Sequence, residues 1–346
     1  MSASPMSSLA AAGAVMLAAC GGSAHPAAAP AQSRPPPLAD ARLRPPPPVA
    51  RGTYQLISTF GVTAEAPLPG TAMEGLTTLR GFSTAPGHTL LALADTLGVP
   101  AVETLRKALP TSLERRIESR LDAEIAKATL DGVPVTEVAG DLAALGARVL
   151  TRFAIESTLT LGQGRASHRL AFLDLSPAGI AQRVPLGTLP GDVISATADA
   201  TADADGTLGL GDHGFALAYG AYAWRALEAE FTARHGGAIR PTLGAAVGCA
   251  QIATRVAGTC RAGVCIGHAA ELTQICERGL DEVIERARAK FLAYHLDALH
   301  LAAGTATPID ADADGAATGM ATGVWTAEIN ASQGLRRVPA TFTATR

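Results

Sequence analysis

The chain has 346 residues, of which 48% are hydrophobic, 17% charged and 4% aromatic, with a formal charge of −3 at neutral pH. That length buries one large domain or two modest ones. The charge balance excludes the basic face that a nucleic-acid partner demands, and the scarcity of rings excludes an extended stacking surface for sugars or bases.

At the N-terminus an apolar run from Leu9 closes in Leu17-Ala18-Ala19-Cys20. The run is too short to span a bilayer and has the length of a signal-peptide apolar region. Its last four residues resemble the lipobox of bacterial lipoproteins, a small-residue cleavage site followed by a cysteine. The resemblance covers residues 1–20. It implies a signal peptide over 1–19, acylation of Cys20 (palmitate is one such group) and attachment to a membrane through lipid. Gly21 after the cysteine, rather than Asp, implies sorting to the outer membrane. Proline runs at 35–37 and 45–48 then favour extended polyproline II, so residues 20–51 read as a disordered tether.

Folded structure is expected over 52–346 as a single domain. Tyr54, Leu56, Phe60 and Val62 share one parity of a strand. Helix signals follow through 73–109. Thr111-x-x-Glu114 forms a capping box ahead of an apolar stripe at Leu113, Ile117, Leu121, Ile125 and Ala128. After Asp131-Gly132 a second stripe runs through Val135, Val138, Leu142, Leu145 and Val149. The period then changes to two: Phe153, Ile155, Leu159 and Leu161 alternate with polar residues, Gly162-Gln163-Gly164 turns the chain, and 169–175 returns antiparallel. A strand is expected at 215–221, helix over most of 222–298, and strands at 299–307, 323–329 and 339–345. The fold class is therefore α+β, an antiparallel sheet assembled from both halves of the chain with helices packed on it.

Four cysteines follow Cys20 at symmetric intervals: Cys249, Cys260, Cys265 and Cys276. Eleven steps of a helix return to nearly the same face. Cys249 with Cys260, and Cys265 with Cys276, are then expected on facing helices, giving nested bridges Cys249–Cys276 and Cys260–Cys265 and a stapled helical hairpin. The spacing alone leaves the other two connectivities open. A metal site of Cys260, Cys265, His268 and Cys276 matches no common zinc spacing.

Asp310-x-Asp312-x-Asp314-Gly315 carries the opening of a calcium loop, because alternate carboxylates converge on one ion and glycine permits the bend. Ala321 stands where a bidentate Glu would close the shell, so the expectation is at most a weak calcium-stabilised turn. Thr201-x-Asp203-x-Asp205-Gly206 is a lesser candidate. Gly209-x-Gly211-x-x-Gly214 matches a dinucleotide fingerprint as text but leads into a strand rather than a helix. The sequence has no Gly-x-Ser-x-Gly elbow, His-Glu-x-x-His or phosphate-binding Gly-Lys-Ser/Thr. The expected function is that of a non-catalytic, membrane-anchored surface lipoprotein, a scaffold or binding module. The alternatives are a carrier of apolar ligands such as lipid, and an exported hydrolase using His168, Asp174 or His213.

Overall fold

The structure is a computed structural model that describes residues 46–61, 70–108, 111–261, 264–331 and 334–346. Cys20, the signal segment, most of the tether and Val62 lie outside the described residues.

Strand β1 (Gly52–Gly61) is followed by helices α1 (Gly70–Thr84), α2 (Pro86–Thr96), α3 (Pro100–Ala108) and α4 (Thr111–Ile125). A small hairpin of β2 (Thr129–Leu130) and β3 (Val133–Pro134), turning at Asp131-Gly132, leads into α5 (Val135–Thr151). Next come β4 (Arg152–Leu161), β5 (Arg165–Asp174), β6 (Arg183–Pro185), β7 (Ser195–Ala202), β8 (Leu208–Leu210) and β9 (His213–Leu217). A second helical stretch holds α6 (Tyr219–His235), α7 (Ile239–Val247), α8 (Cys249–Ala257), the hairpin β10 (Cys260–Arg261) with β11 (Val264–Cys265), and α9 (Ala269–Leu292). The chain ends in β12 (Leu296–Ile309), β13 (Gly319–Ala331) and β14 (Gly334–Thr345).

The sheet is antiparallel and closes into a barrel of eight staves. Its circuit follows chain order: β1, β4, β5, β7, then β8 and β9 end to end, β12, β13, β14 and back to β1. A meander of this kind leaves no sheet edge between its first and last strands. Alternation decides what fills it. Tyr54, Leu56, Phe60, Leu159, Leu170, Phe215, Trp325 and Phe342 are all buried inside, while threonines such as Thr59, Thr158, Thr341 and Thr343 face outward. The interior is packed with side chains.

Both helical stretches leave the barrel at the same end, where Gly61 pairs with Arg152 and Leu217 with Leu296. An aromatic file joins the layers there: Phe60 stacks on Phe153 at 5.0 Å, Phe153 meets Tyr219 at 4.8 Å, and Tyr219 meets Tyr294 at 5.8 Å. The Tyr219 hydroxyl donates to the Val149 carbonyl at 2.5 Å. Helix α9 is the hub of the layer, packed by α1, α2, α3, α6, α7 and α8. Cys249 at the start of α8 bridges to Cys276 in α9, and Cys260 to Cys265. The connectivity is the nested one, but the local geometry differs from the expected helix pair. Helix α8 stops at Ala257, so Cys260 and Cys265 sit opposite each other in a two-stranded hairpin. The strand expected to reach residue 221 likewise stops at Leu217, because Gly220 must lie against α9. A Cβ there would stand 1.7 Å from the Phe291 carbonyl oxygen.

Inside the barrel Gly304 makes room for the Trp325 ring, since a Cβ at Gly304 would fall 2.1 Å from it. Gly304→Ala should therefore destabilise the protein by about 1–3 kcal/mol through overpacking. Gly244→Ala, in α7 with nothing within 4 Å of its added carbon, should be neutral or stabilising. Thermal unfolding of the two variants checks the difference, and equal melting temperatures would contradict this packing.

Candidate functional site

Polar side chains on the inward parity of a barrel strand are costly unless partnered. Three strands supply such residues here. Ser157 lies in β4 between Ile155 and Leu159, His168 in β5 between Ala166 and Leu170, and His213 opens β9 ahead of Phe215. Strand β7 lies between the two histidine strands and turns only small residues inward (Ala196, Ala198 and Ala200), so His168 and His213 meet across it. His168 Nδ1 lies 2.8 Å from His213 Nε2, and His168 Nε2 lies 2.8 Å from Ser157 Oγ. The break between β8 and β9 presents the Gly211 carbonyl at 2.9 Å from His213 Nδ1.

The direction of this chain of bonds follows from one fixed group. A carbonyl only accepts, so neutral His213 carries its proton on Nδ1 and accepts at Nε2. His168 then donates from Nδ1 and accepts at Nε2, where the Ser157 hydroxyl donates. Aromatic rings enclose the pair. Phe215 stands edge-on to both histidines, at 5.1 and 5.5 Å, and Trp325 lies parallel to His168 at 6.1 Å. Trp325 Nε1 and Ser58 Oγ are buried without a hydrogen-bond partner among the described residues. Burial, reinforced by His213, pushes the His168 pKa down to about 3. Burial also lowers that of His213, opposed by the hydrogen bond to the Gly211 carbonyl and by the Asp212 charge, and assisted by the nearby His300.

The line from Ser157 to His168 to His213 has the connectivity of a nucleophile, a base and an orienting group. Two of its properties depart from those of a working triad. Ser157 and His168 are each 1% exposed. A histidine titrating near 3 is also a poor proton acceptor at neutral pH. Asp174 takes no part: it sits at the other end of β5, where its Oδ1 accepts from the Ser176 amide and hydroxyl. The structure thus brings together two of the three residues named as hydrolase candidates. It adds Ser157, which sequence reasoning missed. Its signal was a hydroxyl on the apolar parity of an otherwise regular amphipathic strand.

Asp310, Asp312 and Asp314 lie in the loop from β12 to β13, each offering a carboxylate oxygen within 4.8 Å of the others. Asp310 Oδ2 accepts from the Gly315 amide at 2.8 Å and Asp314 Oδ1 from the Ala316 amide at 2.7 Å. Asp310 Oδ1 is buried with no hydrogen-bond partner among the described residues. The Gly315 amide holds the Asp310 carboxyl below its ordinary range, while the hydrogen bond from Asp312 to Asp310 raises that of Asp312. Three convergent carboxylates suit a hard divalent cation, with water needed to complete the shell. The earlier loop forms a hairpin turn, within which Asp203 and Asp205 bond. The glycines of the dinucleotide-like pattern serve strand packing, Gly209 against Thr201 and Gly211 against Asp199. All four described cysteines are in disulfides, which removes the thiolates that a zinc site with His268 would use.

No protein-family profile, curated protein or solved structure matches this chain.

Two predictions follow from these geometries. Because burial lowers the pKa of both histidines in the folded state, the unfolded chain binds more protons below its ordinary histidine pKa near 6.5. Stability should be full above that pH and fall as pH drops from 6.5 towards 3, by up to about 1.4 kcal/mol per unit for His168. Denaturant unfolding across this range measures it. His168→Phe should flatten the acid limb even where it lowers stability at neutral pH, and an unchanged limb would refute the assignment.

Calcium should raise the melting temperature with an apparent affinity of roughly 10⁻⁴–10⁻³ M, an effect abolished by Asp310→Ala. No shift up to several times that concentration would leave the loop as a polar turn.

Proposed function

We propose that the protein is a non-catalytic, lipid-anchored protein of the bacterial cell envelope, carrying its barrel and helical layer as a scaffold or binding module. The observation that carries this reading is Leu17-Ala18-Ala19-Cys20 at the end of a short apolar run, followed by a proline-rich spacer. Cleavage before Cys20 and acylation of its sulfur and amine would supply several acyl chains, which together hold a membrane far more firmly than one. The two disulfides suit an oxidising envelope compartment. No helix among the described residues is long and apolar enough to cross a membrane, so anchorage falls to the lipid in this reading.

The barrel favours a scaffold or surface-binding role over the carrier reading, since Leu159, Phe215, Trp325 and Phe342 fill the space a lipid would occupy. The enclosure of Ser157 and the low basicity of His168 weigh against the hydrolase reading.

Membrane fractionation of the wild type and Cys20→Ala tests the anchor. The wild type should partition with membranes, and mass spectrometry should find acyl chains on Cys20. Retention of the variant in the membrane fraction would overturn the reading. A serine-reactive phosphonate should leave Ser157 unmodified, and labelling there would reinstate an enzyme.

A further inference from the structure

The end of the barrel opposite the helices is formed by the turn after β4, the turn after β7 and the acidic loop. Residues 46–51 run across this end before entering β1. Val49 donates its amide to the Gly315 carbonyl at 2.9 Å, and its own carbonyl accepts from the Ala317 amide at 3.0 Å, a single parallel bridge. No ladder extends it on the N-terminal side, because Pro46, Pro47 and Pro48 have no amide proton to give. Pro47 seats on Gly206, where any Cβ would come within 2.2 Å of its ring. The segment forms one wall of an open groove of about 430 Å³ that Leu161, Leu208 and Pro308 also line.

The hold on this segment is slight compared with that on the strand it enters. Pro46, Pro47 and Val49 are exposed, Val49 by 51%, and only half-buried Pro48 and Ala50, the latter packed on the core, add apolar contact. One residue pair further on the attachment changes character. The buried Tyr54 hydroxyl lies within hydrogen-bonding distance of both the Arg51 and Ala317 carbonyls, at 3.1 and 3.0 Å, and from there β1 is paired on both sides. Gly52, with φ of +98°, turns the chain between the two regimes, a conformation that suits a hinge.

We propose that residues 46–51 are a releasable strap over the mouth of the barrel, hinged at Gly52, whose groove also accepts an extended proline-bearing peptide in the strap's place. Release leaves the Gly315 carbonyl and Ala317 amide free to pair with another extended chain, the mode by which peptides add to a sheet. The strap itself states the chemistry of the occupant: prolines over Gly206, then one small apolar residue whose backbone pairs while its side chain faces out. Small local opening of this kind is expected where few apolar contacts hold a segment. The proposal is independent of acylation at Cys20.

Hydrogen exchange on the wild-type chain tests the strap without any variant. The Val49 and Ala317 amides should exchange at least a hundredfold faster than the Leu56 and Leu159 amides, at rates insensitive to mild denaturant. Exchange of all four at one rate would mean the segment opens only with the whole fold and would overturn the strap. The groove is tested with a fluorescent peptide of the sequence Arg44–Arg51. Val49→Pro, which removes the strap's one donated bond, should bind it at least tenfold more tightly than the wild type. Gly206→Val, which displaces Pro47, should not restore tight binding to that variant, because the peptide's own prolines need the same space. Equal affinity for wild type and Val49→Pro, or tight binding despite Gly206→Val, would overturn the docking site.

Discussion

Pairing of the first strand with the last is the constraint on which the rest depends. Strand β1 is hydrogen-bonded to β4 on one side and to β14 on the other, so the barrel cannot close until the C-terminal strands exist. Contacts of such long sequence separation are slow to form and costly in chain entropy. Two design features offset this. Neighbouring staves are otherwise consecutive in the chain, and both helical stretches leave and return between neighbouring staves at one end. Each long excursion therefore starts and finishes at a strand pair, Gly61 with Arg152 and Leu217 with Leu296.

The helical layer relies on that arrangement. Helix α9 is its hub, yet α1 to α5 and α6 to α9 belong to different excursions, which the barrel brings to one end and which then pack on each other directly, α1, α2 and α3 on α9 and α5 on α6. Phe60, Phe153, Tyr219 and Tyr294 make the join, one ring from β1, one from β4, one from the start of α6 and one from the chain between α9 and β12. The Cys249–Cys276 bridge then ties α8 to the hub. The other bridge closes a five-residue separation and restrains only a surface hairpin.

Much of this was legible because period-two alternation is unambiguous when large residues mark it. Strands β4, β12, β13 and β14 carry Leu, Ile, Trp and Phe on the inward parity, and both they and the α+β class follow from it. Strand β7 was not legible. Its sequence, Ser-Ala-Thr-Ala-Asp-Ala-Thr-Ala, alternates in position but hardly in hydrophobicity, and its small alanines leave room for two histidines to meet above it. A sheet built from both halves of the chain was expected, but its closure into a barrel was hidden, since the pairing of β14 with β1 leaves no local signature. Nested cysteine spacing predicted the pairing but not the hairpin, because it assumed a helix running through to Cys260. The polar line in the barrel was half visible. His168 and His213 stood out as residues, whereas Ser157 needed the observation that a hydroxyl occupied an apolar parity.

A polar line in such a core raises the question of what it contributes, since hydrophobic residues of similar size would avoid the desolvation of three polar groups. Register offers a physical answer. Slipping one strand by a single residue turns its whole apolar face outward and is strongly penalised. A slip of two residues keeps every apolar residue inside, so hydrophobicity alone discriminates against it poorly. The Ser157–His168–His213–Gly211 line breaks under either slip, because each ring nitrogen has one partner at one height in the barrel and a bond direction set by a carbonyl. A broken line leaves imidazole nitrogens buried without partners, which costs more than the intact line contributes. The same enclosure that lowers the basicity of both histidines strengthens the bonds they make, so that those bonds can specify alignment.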